Sequence, residues 1–385
     1  MTEENEQRLK SLLDTIDRPN RNRLAKEWKE RGGVVFGLVC HYIPEEILSA
    51  ASVLPWRVAV SAGTVDSKAI LYRPNTTNPY YRKVLEGVFT SEIDFLHGFV
   101  VSNRDDDCRR LFDVLERVDE KLCNHIVFVP AHNSGTAVRM FADSLHSLAD
   151  WLGTHMGQPI SAERLREAIA VHNLTRSLIR QVYELRKRDS PPLSGAEMLR
   201  LTLAATVLPK TVFNEELQTL LPYIRDRKLE LKATVPRLMI SSDMLDKPEY
   251  VELIEQAGSL VAMDDLDTGS RYVNQLVDER TVDPYQALAE RYLAGPACPR
   301  MFSWDDQIQQ IVRWCHEFGI HGVVEMPQIC DFSRGFRHPF VIQKLKEAHI
   351  PLISIERDYT LANAGQIATR IGAFIEMLDS QVAKS

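Results

Sequence analysis

Cysteines are the residues of this chain best suited to metal chemistry, and three of its six follow predicted buried strands. Cys40 ends an apolar run at residues 34–40, and Cys330 ends the stretch at residues 322–331. Cys108 lies shortly after a third predicted strand. The carboxyl ends of strands in an α/β fold are where ligands gather, so the three thiols could converge there as ligands of a metal site. Free cysteine is also common as buried apolar filling, and that alternative stays open.

The remaining cysteines are interpreted as packing residues. Cys123 precedes a predicted strand, and Cys315 lies on an amphipathic helix. Cys298 lies in a Gly-Pro-Ala-Cys-Pro loop, where packing is favoured although the thiol could approach a metal site. No two cysteines have the CxxC spacing of zinc ribbons, thioredoxins or ferredoxins. Any metal site must therefore collect cysteines that are distant in the sequence.

Polar residues beside the cysteines are candidates of a weaker kind, and the catalytic residues are not identified from them. His41 could donate a proton or hydrogen-bond a ligand of such a metal site, and Glu45 could take part in proton transfer. Glu45 also lies in the predicted first turn of a helix, where a carboxylate more often interacts with the helix dipole. The acidic run at residues 105–107 predicts a helix N-terminus with Asp105 or Asp106 as its cap.

Composition restricts the class of protein. The chain has 385 residues, which favours two or three domains. Its 44% hydrophobic and 26% charged residues are typical of globular proteins, and a formal net charge of −7 gives no support for nucleic-acid binding. No apolar run approaches the roughly 18–20 residues that cross a bilayer, and the N-terminal residues lack a signal-peptide pattern. A cytoplasmic protein without a membrane partner is expected.

The elements that must position these residues alternate between β-rich runs and amphipathic helices, which predicts βαβ units. The expected fold class is α/β, with two Rossmann-like α/β domains whose largely parallel sheets are joined by a helical segment. The predicted boundaries are 1–160, 161–235 and 236–385. In the first domain, a helix is predicted at residues 44–54 and a strand at residues 57–61. Within the helical segment, the sequence SPPLSG predicts a helix break, and the basic run that precedes it is interpreted as a solvated helix end.

Several stretches, in a specific order and spacing, resemble the 2-hydroxyacyl-CoA dehydratase and benzoyl-CoA reductase family, whose iron–sulfur D-components have a cysteine followed by a Pro-Glu-Glu helix. These stretches are GLVCHYIPEEILSAA at 37–51, LPWR at 54–57, LRKRDSPPLSG at 185–195, AERYLAGPACP at 289–299, GVVEMPQICD at 322–331, AHIPLISIERDY at 348–359 and GQIATRIGAFIEML at 365–378. The resemblance covers nearly the whole chain.

The resemblance implies a [4Fe–4S] cluster held by cysteine thiolates, with Cys40 and Cys330 on ligand positions. The family commonly has Asn-x-Cys-Asp where this chain has Asp105 in place of the cysteine. Cys108 lies three residues further on, about one helical turn away, and is expected to be the third ligand. Many members have another cysteine in the region of residues 81–92, which contains none here.

The resemblance also implies a function. The chain is expected to be the smaller cluster-holding subunit of an ATP-dependent benzoyl-CoA reductase, an oxidoreductase that reduces an aromatic acyl-CoA by low-potential one-electron steps. The implied partners are a homologous sister subunit, ATP-hydrolysing activator subunits and a ferredoxin donor. This chain has no P-loop or GxGxxG motif, so a separate activator must hydrolyse the ATP. The alternatives are a lyase, as a subunit of a radical 2-hydroxyacyl-CoA dehydratase, or a cluster-free scaffold subunit.

Overall fold

The computed structural model describes residues 2–61, 66–231, 235–295 and 298–382. Its strands are β1 Val34–Leu38, β2 Val53–Arg57, β3 Gly98–Ser102, β4 Cys123–Val127, β5 Arg237–Ser241, β6 Leu260–Asp265, β7 Gly322–Glu325 and β8 Leu352–Ser354. Its α-helices are α1 Thr2–Leu13, α2 Arg18–Glu30, α3 Glu45–Ala50, α4 Pro79–Phe89, α5 Asp106–Val118, α6 Gly135–Met156, α7 Ala162–Leu185, α8 Gly195–Ala205, α9 Lys210–Asp226, α10 Glu249–Gln256, α11 Ser270–Val273, α12 Pro284–Ala294, α13 Trp304–Glu317, α14 Phe332–Glu347 and α15 Ala364–Val382.

The strands form two four-stranded sheets in which every pairing is parallel. Their orders are β2-β1-β3-β4 and β6-β5-β7-β8, so the two sheets have the same topology. Most of the strands are continuous apolar runs, as expected for parallel strands that helices cover on both faces. The predicted α/β class with two Rossmann-like sheets is confirmed.

Helix caps explain where several helices begin. The side chain of Asp105 accepts a hydrogen bond from the backbone N–H of Cys108 at 2.6 Å, so α5 begins at the predicted acidic run. Ser194 and Glu197 form a reciprocal capping box at the start of α8. The predicted break between the long helices is confirmed, because α7 ends before the two prolines and α8 begins after them.

One local prediction is wrong. The helix predicted at residues 44–54 is shorter, and the following strand is β2 instead of residues 57–61. Ser52 has a φ of 61°, a left-handed conformation that turns the chain directly from α3 into β2. Periodicity could not separate the two elements, because both are apolar and adjacent. Pro55 is tolerated within β2 because that strand lies at the edge of its sheet.

Only part of the basic run at residues 186–188, which follows α7, is the solvated helix end that the sequence predicts. Arg186 is only 1% exposed. Its guanidinium donates hydrogen bonds to the backbone carbonyls of Ala262, Leu193 and Ser194. The buried arginine therefore connects the segment between α7 and α8 to strand β6. Arg188, in contrast, remains exposed.

Helices from one part of the chain pack on the other sheet. Helix α1 contacts α8 and α9, and its apolar residues join the core that covers the second sheet. Helix α12, which follows β6, packs against α6 beside the first sheet. The chain that follows α12 therefore continues beside the first sheet. The domain boundaries predicted from the sequence are not tested by this packing and stay predictions. No α-helix within the described residues has the length and apolar character to cross a membrane.

Candidate functional site

The candidate site lies where the carboxyl ends of the two sheets meet. In each sheet the strand order reverses between the first and third strands, β1 and β3 or β5 and β7. Such a switch point opens a crevice outside the strand ends. Cys40 follows β1 and Asp105 follows β3, whereas Asp243 follows β5 and Gln328 follows β7. All four line one inner cavity of about 30 Å³, so both switch points contribute to the same site.

Two buried thiols belong to this inner cavity. Cys40 and Cys298 both line it and are 9% and 4% exposed. The backbone N–H of Cys298 donates a hydrogen bond of 3.2 Å to the hydroxyl of Tyr42, two residues after Cys40. Burial raises the pKa of the Cys40 thiol to about 11, and a nearby Cys298 thiolate adds to that rise. The charge state of Cys298 thus affects Cys40, and the charge state of Cys40 affects Cys108 in the same way.

Cys108 lies behind the cavity instead of on its wall. Its side chain is 1% exposed and is not among the residues that line the cavity. Burial raises the pKa of the Cys108 thiol well above its usual value. Ser102 partly offsets the rise in the pKa of both the Cys108 and the Cys40 thiols. The role of Cys108 as a ligand stays a prediction.

Cys330 lies across the site, on a larger outer cavity of about 540 Å³. Its thiol is half-buried and donates a hydrogen bond of 3.7 Å to the backbone carbonyl of Asn75. Its φ of 64° places a non-glycine residue in the left-handed region. Such conformations cost on the order of 1–3 kcal/mol and concentrate at functional sites. The backbone at Cys330 therefore has the character of a functional loop.

Arg300 separates the two cavities and lines both. Its guanidinium pairs with Asp105 at 2.8 Å, with Asp243 at 2.8 Å and with Asp331 at 3.2 Å. These carboxylates follow β3, β5 and β7, so one cation joins both sheets. Burial opposes the charge on Asp243, but Arg334 and Arg300 hold its pKa well below the usual range. Burial raises the pKa of Asp331 to about 7.

The two weak catalytic candidates have different environments. His41 lines the inner cavity, and its Nδ1 lies 3.6 Å from a carboxylate oxygen of Asp267. Burial lowers the pKa of His41 to about 4, so the imidazole is neutral at neutral pH. Glu45 is not among the residues that line the cavity, and it pairs with Lys210 at 2.8 Å and Arg57 at 3.5 Å. Its environment is that of a buried structural carboxylate.

The inner cavity has the donor types that hold an iron–sulfur cluster, thiols and N–H groups, but their arrangement in the part of the chain that the structure describes does not form a metal site. Besides the thiols, the buried Gln328 lines the cavity, and its Nε2 has no hydrogen-bond partner among the described residues. Nε and Nη2 of Arg104 are likewise without an acceptor in that part of the chain. N–H donors aimed at a thiol-lined space are suited to hydrogen-bond thiolate or sulfide. In the present conformation, however, no three His, Cys, Asp or Glu side chains within the described ranges are close enough to hold a metal ion.

Several polar residues that line this site were not predicted from the sequence. Arg300, Asp243 and Gln328 were not among the candidates. The position of Asp243 directly after β5 was an available signal, because strand carboxyl ends bind ligands. Arg300 gave no comparable signal, since its three carboxylate partners lie beyond the ends of different strands.

Comparisons with known proteins agree with this architecture. The sequence profile of the 2-hydroxyglutaryl-CoA dehydratase D-component matches residues 40–378. The "Putative dehydratase subunit YjiM" of Escherichia coli (strain K12) is 26% identical over 91% of this chain and 93% of its own length. The (R)-phenyllactyl-CoA dehydratase beta subunit of Clostridium sporogenes is 24% identical, over 95% and 97%. A benzoyl-CoA reductase subunit of Thauera aromatica is 22% identical, over 92% and 94%.

The matched region contains all six cysteines and every strand except β1. The relatives are also matched over nearly their full lengths. The chain therefore belongs to the 2-hydroxyacyl-CoA dehydratase D-component family, which also includes benzoyl-CoA reductase subunits.

Proposed function

We propose that this chain is the cluster-holding subunit of an oxygen-sensitive enzyme that acts on an acyl-CoA thioester. The observation that carries the proposal is that thiols which follow strands of both sheets line two adjoining cavities at the switch points. Cys40 belongs to the first sheet and Cys330 to the second, and the two cavities that they line share Arg300. Family membership supports the same assignment.

Cys40 and Cys330 would hold a [4Fe–4S] cluster together with a further thiol, for which Cys108 is the candidate because it lies three residues after the family's cysteine position. When bound, the cluster would supply a low-potential electron to the thioester. The protein's own residues exclude water from one side, because the Cys40 and Cys298 thiols are buried. Neutral His41 is available as a hydrogen-bond donor at the cavity wall.

The outer cavity is the proposed entry of the thioester. Its volume of about 540 Å³ lies within the roughly 300–1,000 Å³ of small-molecule sites. It opens to Arg300 and to Cys330, so an acyl group bound there would lie next to the proposed cluster. ATP hydrolysis belongs to separate activator subunits, with ferredoxin as the upstream donor. A homologous sister subunit completes the enzyme.

The sequence motifs favour an aryl-CoA reductase of the benzoyl-CoA type within this family. The alternative is a radical 2-hydroxyacyl-CoA dehydratase. It is favoured by two of the relatives, whose names describe dehydratase subunits, at 26% and 24% identity. The two functions differ in their overall chemistry, since one adds electrons to an aromatic ring and the other removes water.

The test is anaerobic co-purification of the full chain with its sister subunit, followed by iron and acid-labile sulfide analysis and two assays with the activator and ATP. Cluster-bearing protein that reduces benzoyl-CoA supports the reductase. Cluster-bearing protein that dehydrates a 2-hydroxyacyl-CoA establishes the alternative. Protein that contains no iron when purified anaerobically would overturn both and favour the scaffold role.

A further inference from the structure

The outer cavity has more carboxylates than guanidinium groups in its lining. Among the described residues, its aspartates are Asp105, Asp106, Asp107, Asp113 and Asp331, and its arginines are Arg73, Arg110 and Arg300. The first four carboxylates already outnumber the three guanidinium groups, so the excess does not depend on the charge of the fifth. An anionic group of a ligand would therefore meet like charges here, and such a juxtaposition opposes binding.

Each of these guanidinium groups already has a carboxylate partner. Arg73, whose side chain is 6% exposed, pairs with Asp107. Arg110 pairs with Asp113 at 2.5 Å. The guanidinium of Arg300 is shared among the three carboxylates described above. None of the three cations can therefore receive a carboxylate from a ligand unless an existing ion pair is broken.

The N-terminus of α5, which also borders the outer cavity, does not offer an alternative anion site. Helix N-termini commonly bind anions through their free N–H groups. Here the side chain of Asp105 is the cap, accepting from the N–H of Cys108 at 2.6 Å. Asp106 and Asp107 place two further carboxylates in the same turn. These groups repel a second anion from the helix end.

The remaining wall of the outer cavity is suited to an apolar group. Tyr72, Pro74, Val114 and Phe332 all belong to the lining. The side chains of Tyr72 and Phe332 are exposed to solvent in the isolated chain. Covering them with an apolar ligand would remove apolar surface from water, which favours binding. The cavity thus combines an apolar wall with ion pairs that are already complete.

We propose that the outer cavity selects acyl groups without a charged end. The substrate class is then an acyl-CoA whose acyl group is aryl or aliphatic, and not one whose acyl chain ends in a carboxylate. This inference rests on the proposed function, in which the thioester enters through the outer cavity. It concerns the acyl group alone, so it applies equally to a reduction and to a dehydration. The phosphates of CoA would lie outside the cavity, away from its carboxylates.

The experiment measures the binding of three unreactive thioesters to the full chain, co-purified anaerobically with its sister subunit and without activator. The probes are 5-methylhexanoyl-CoA, the half-amide of glutaryl-CoA, and glutaryl-CoA. Their acyl chains have the same length and shape but end in an isopropyl group, a carboxamide and a carboxylate. By calorimetry, glutaryl-CoA is expected to have a Kd at least about tenfold above that of 5-methylhexanoyl-CoA. The amide should bind more tightly than the carboxylate, which separates charge from polarity.

Two variants locate the selectivity in the outer cavity. Asp107→Asn leaves Arg73 without its carboxylate, while the asparagine can still accept the hydrogen bond that the Asn78 N–H donates to Asp107 at 3.2 Å. Asp113→Asn acts in the same way on Arg110 at a half-exposed position, so it guards against misfolding of the first variant.

Both variants should reduce the ratio of the glutaryl-CoA and 5-methylhexanoyl-CoA Kd values by at least about threefold. Glu116→Gln is the matched control, because it removes an exposed carboxylate of the same helix that does not line the cavity. It should leave the ratio unchanged.

The possible failures are distinguishable. Glutaryl-CoA that binds the wild type as tightly as 5-methylhexanoyl-CoA would overturn the inference and leave the proposed function intact. Selectivity that stays the same in both Asp107→Asn and Asp113→Asn would also overturn it, since the selecting groups would then lie elsewhere. Wild-type protein that binds none of the three thioesters would overturn the proposed function itself.

Discussion

At the residue scale, burial determines the charge state of the thiols, because it disfavours the thiolate form. The pKa of Cys40 is raised to about 11 and that of Cys330 is also raised, in both cases chiefly by desolvation. Both side chains are therefore protonated at neutral pH without a metal, and metal binding must displace their protons. Cys315 is also buried, with its pKa raised to about 12, but it contacts the sulfur of Met239 at 4.0 Å in an apolar core.

The first prediction separates ligand cysteines from packing cysteines. Cys40→Ala and Cys330→Ala should each lose the cluster, because each removes a thiolate bond to iron. Cys123→Ala and Cys315→Ala should keep it, with stability reduced by on the order of 1–2 kcal/mol. Anaerobic iron analysis and urea denaturation measure the two effects. The opposite ranking of iron contents would contradict the ligand assignment.

The second prediction concerns Asp105 as a cap. Asp105→Ala should lower the free energy of unfolding by at least about 0.5–2 kcal/mol, because the first turn of α5 loses its side-chain acceptor and Arg300 loses one of its carboxylate partners. Asp106→Ala is the matched control, since its side chain is 69% exposed in the same turn. It should change stability by less than about 0.5 kcal/mol. If urea denaturation showed the same loss of unfolding free energy in both variants, the side chain of Asp105 would not be a stabilising cap of α5.

At the scale of elements, a buried ion pair joins three helices around the site. Glu46 on α3 pairs with Arg176 on α7 and accepts a hydrogen bond of 2.9 Å from the Tyr292 hydroxyl on α12. Glu46 and Arg176 are 0% and 1% exposed.

The third prediction is that Glu46→Gln lowers the free energy of unfolding by about 3–5 kcal/mol, because Arg176 is left as a buried unpaired charge. Burial opposes the charge of Glu46, but Arg176 lowers its pKa from 4.5 to about 2. This contribution is present above the unfolded-state pKa and is lost as the pH falls from about 4.5 towards 2. Thermal denaturation across that range should show a smaller acid-dependent loss in Glu46→Gln than in wild type.

The matched control is Glu163→Gln, which changes an exposed carboxylate on the same helix as Arg176. It should alter the melting temperature little and leave the acid dependence of wild type unchanged. An acid dependence that is identical in Glu46→Gln and wild type would show that Glu46 does not carry the effect.

At the scale of the whole molecule, two sheets of the same strand order face one site. Arg300 joins them through carboxylates that follow β3, β5 and β7. A group that binds thiols from both sheets binds the folded state only, so it should stabilise the whole chain.

The fourth prediction follows from that linkage. Anaerobic removal of iron should lower the melting temperature and increase proteolysis, because Cys40 and Cys330 no longer connect the two sheets. In Cys330→Ala, iron removal should have no further effect. Differential scanning calorimetry and limited proteolysis measure both outcomes. An unchanged melting temperature in wild type would contradict a cluster that is held between the two sheets.

The amino-acid sequence by itself determined the α/β class, the position of α5 after its acidic run and the placement of Cys40 beyond a strand end. These features depend on neighbouring residues, through apolar periodicity, capping and strand propensity. Only the tertiary structure decided that α12 crosses to the first sheet and brings Cys298 beside Cys40, and that Arg300 lies among three carboxylates. Such contacts depend on how elements distant in the sequence pack, and short-range patterns contain no record of that packing. The burial of Arg186 has the same cause, because long-range packing outweighed its local polarity, whereas the shortness of α3 follows from the local left-handed turn at Ser52.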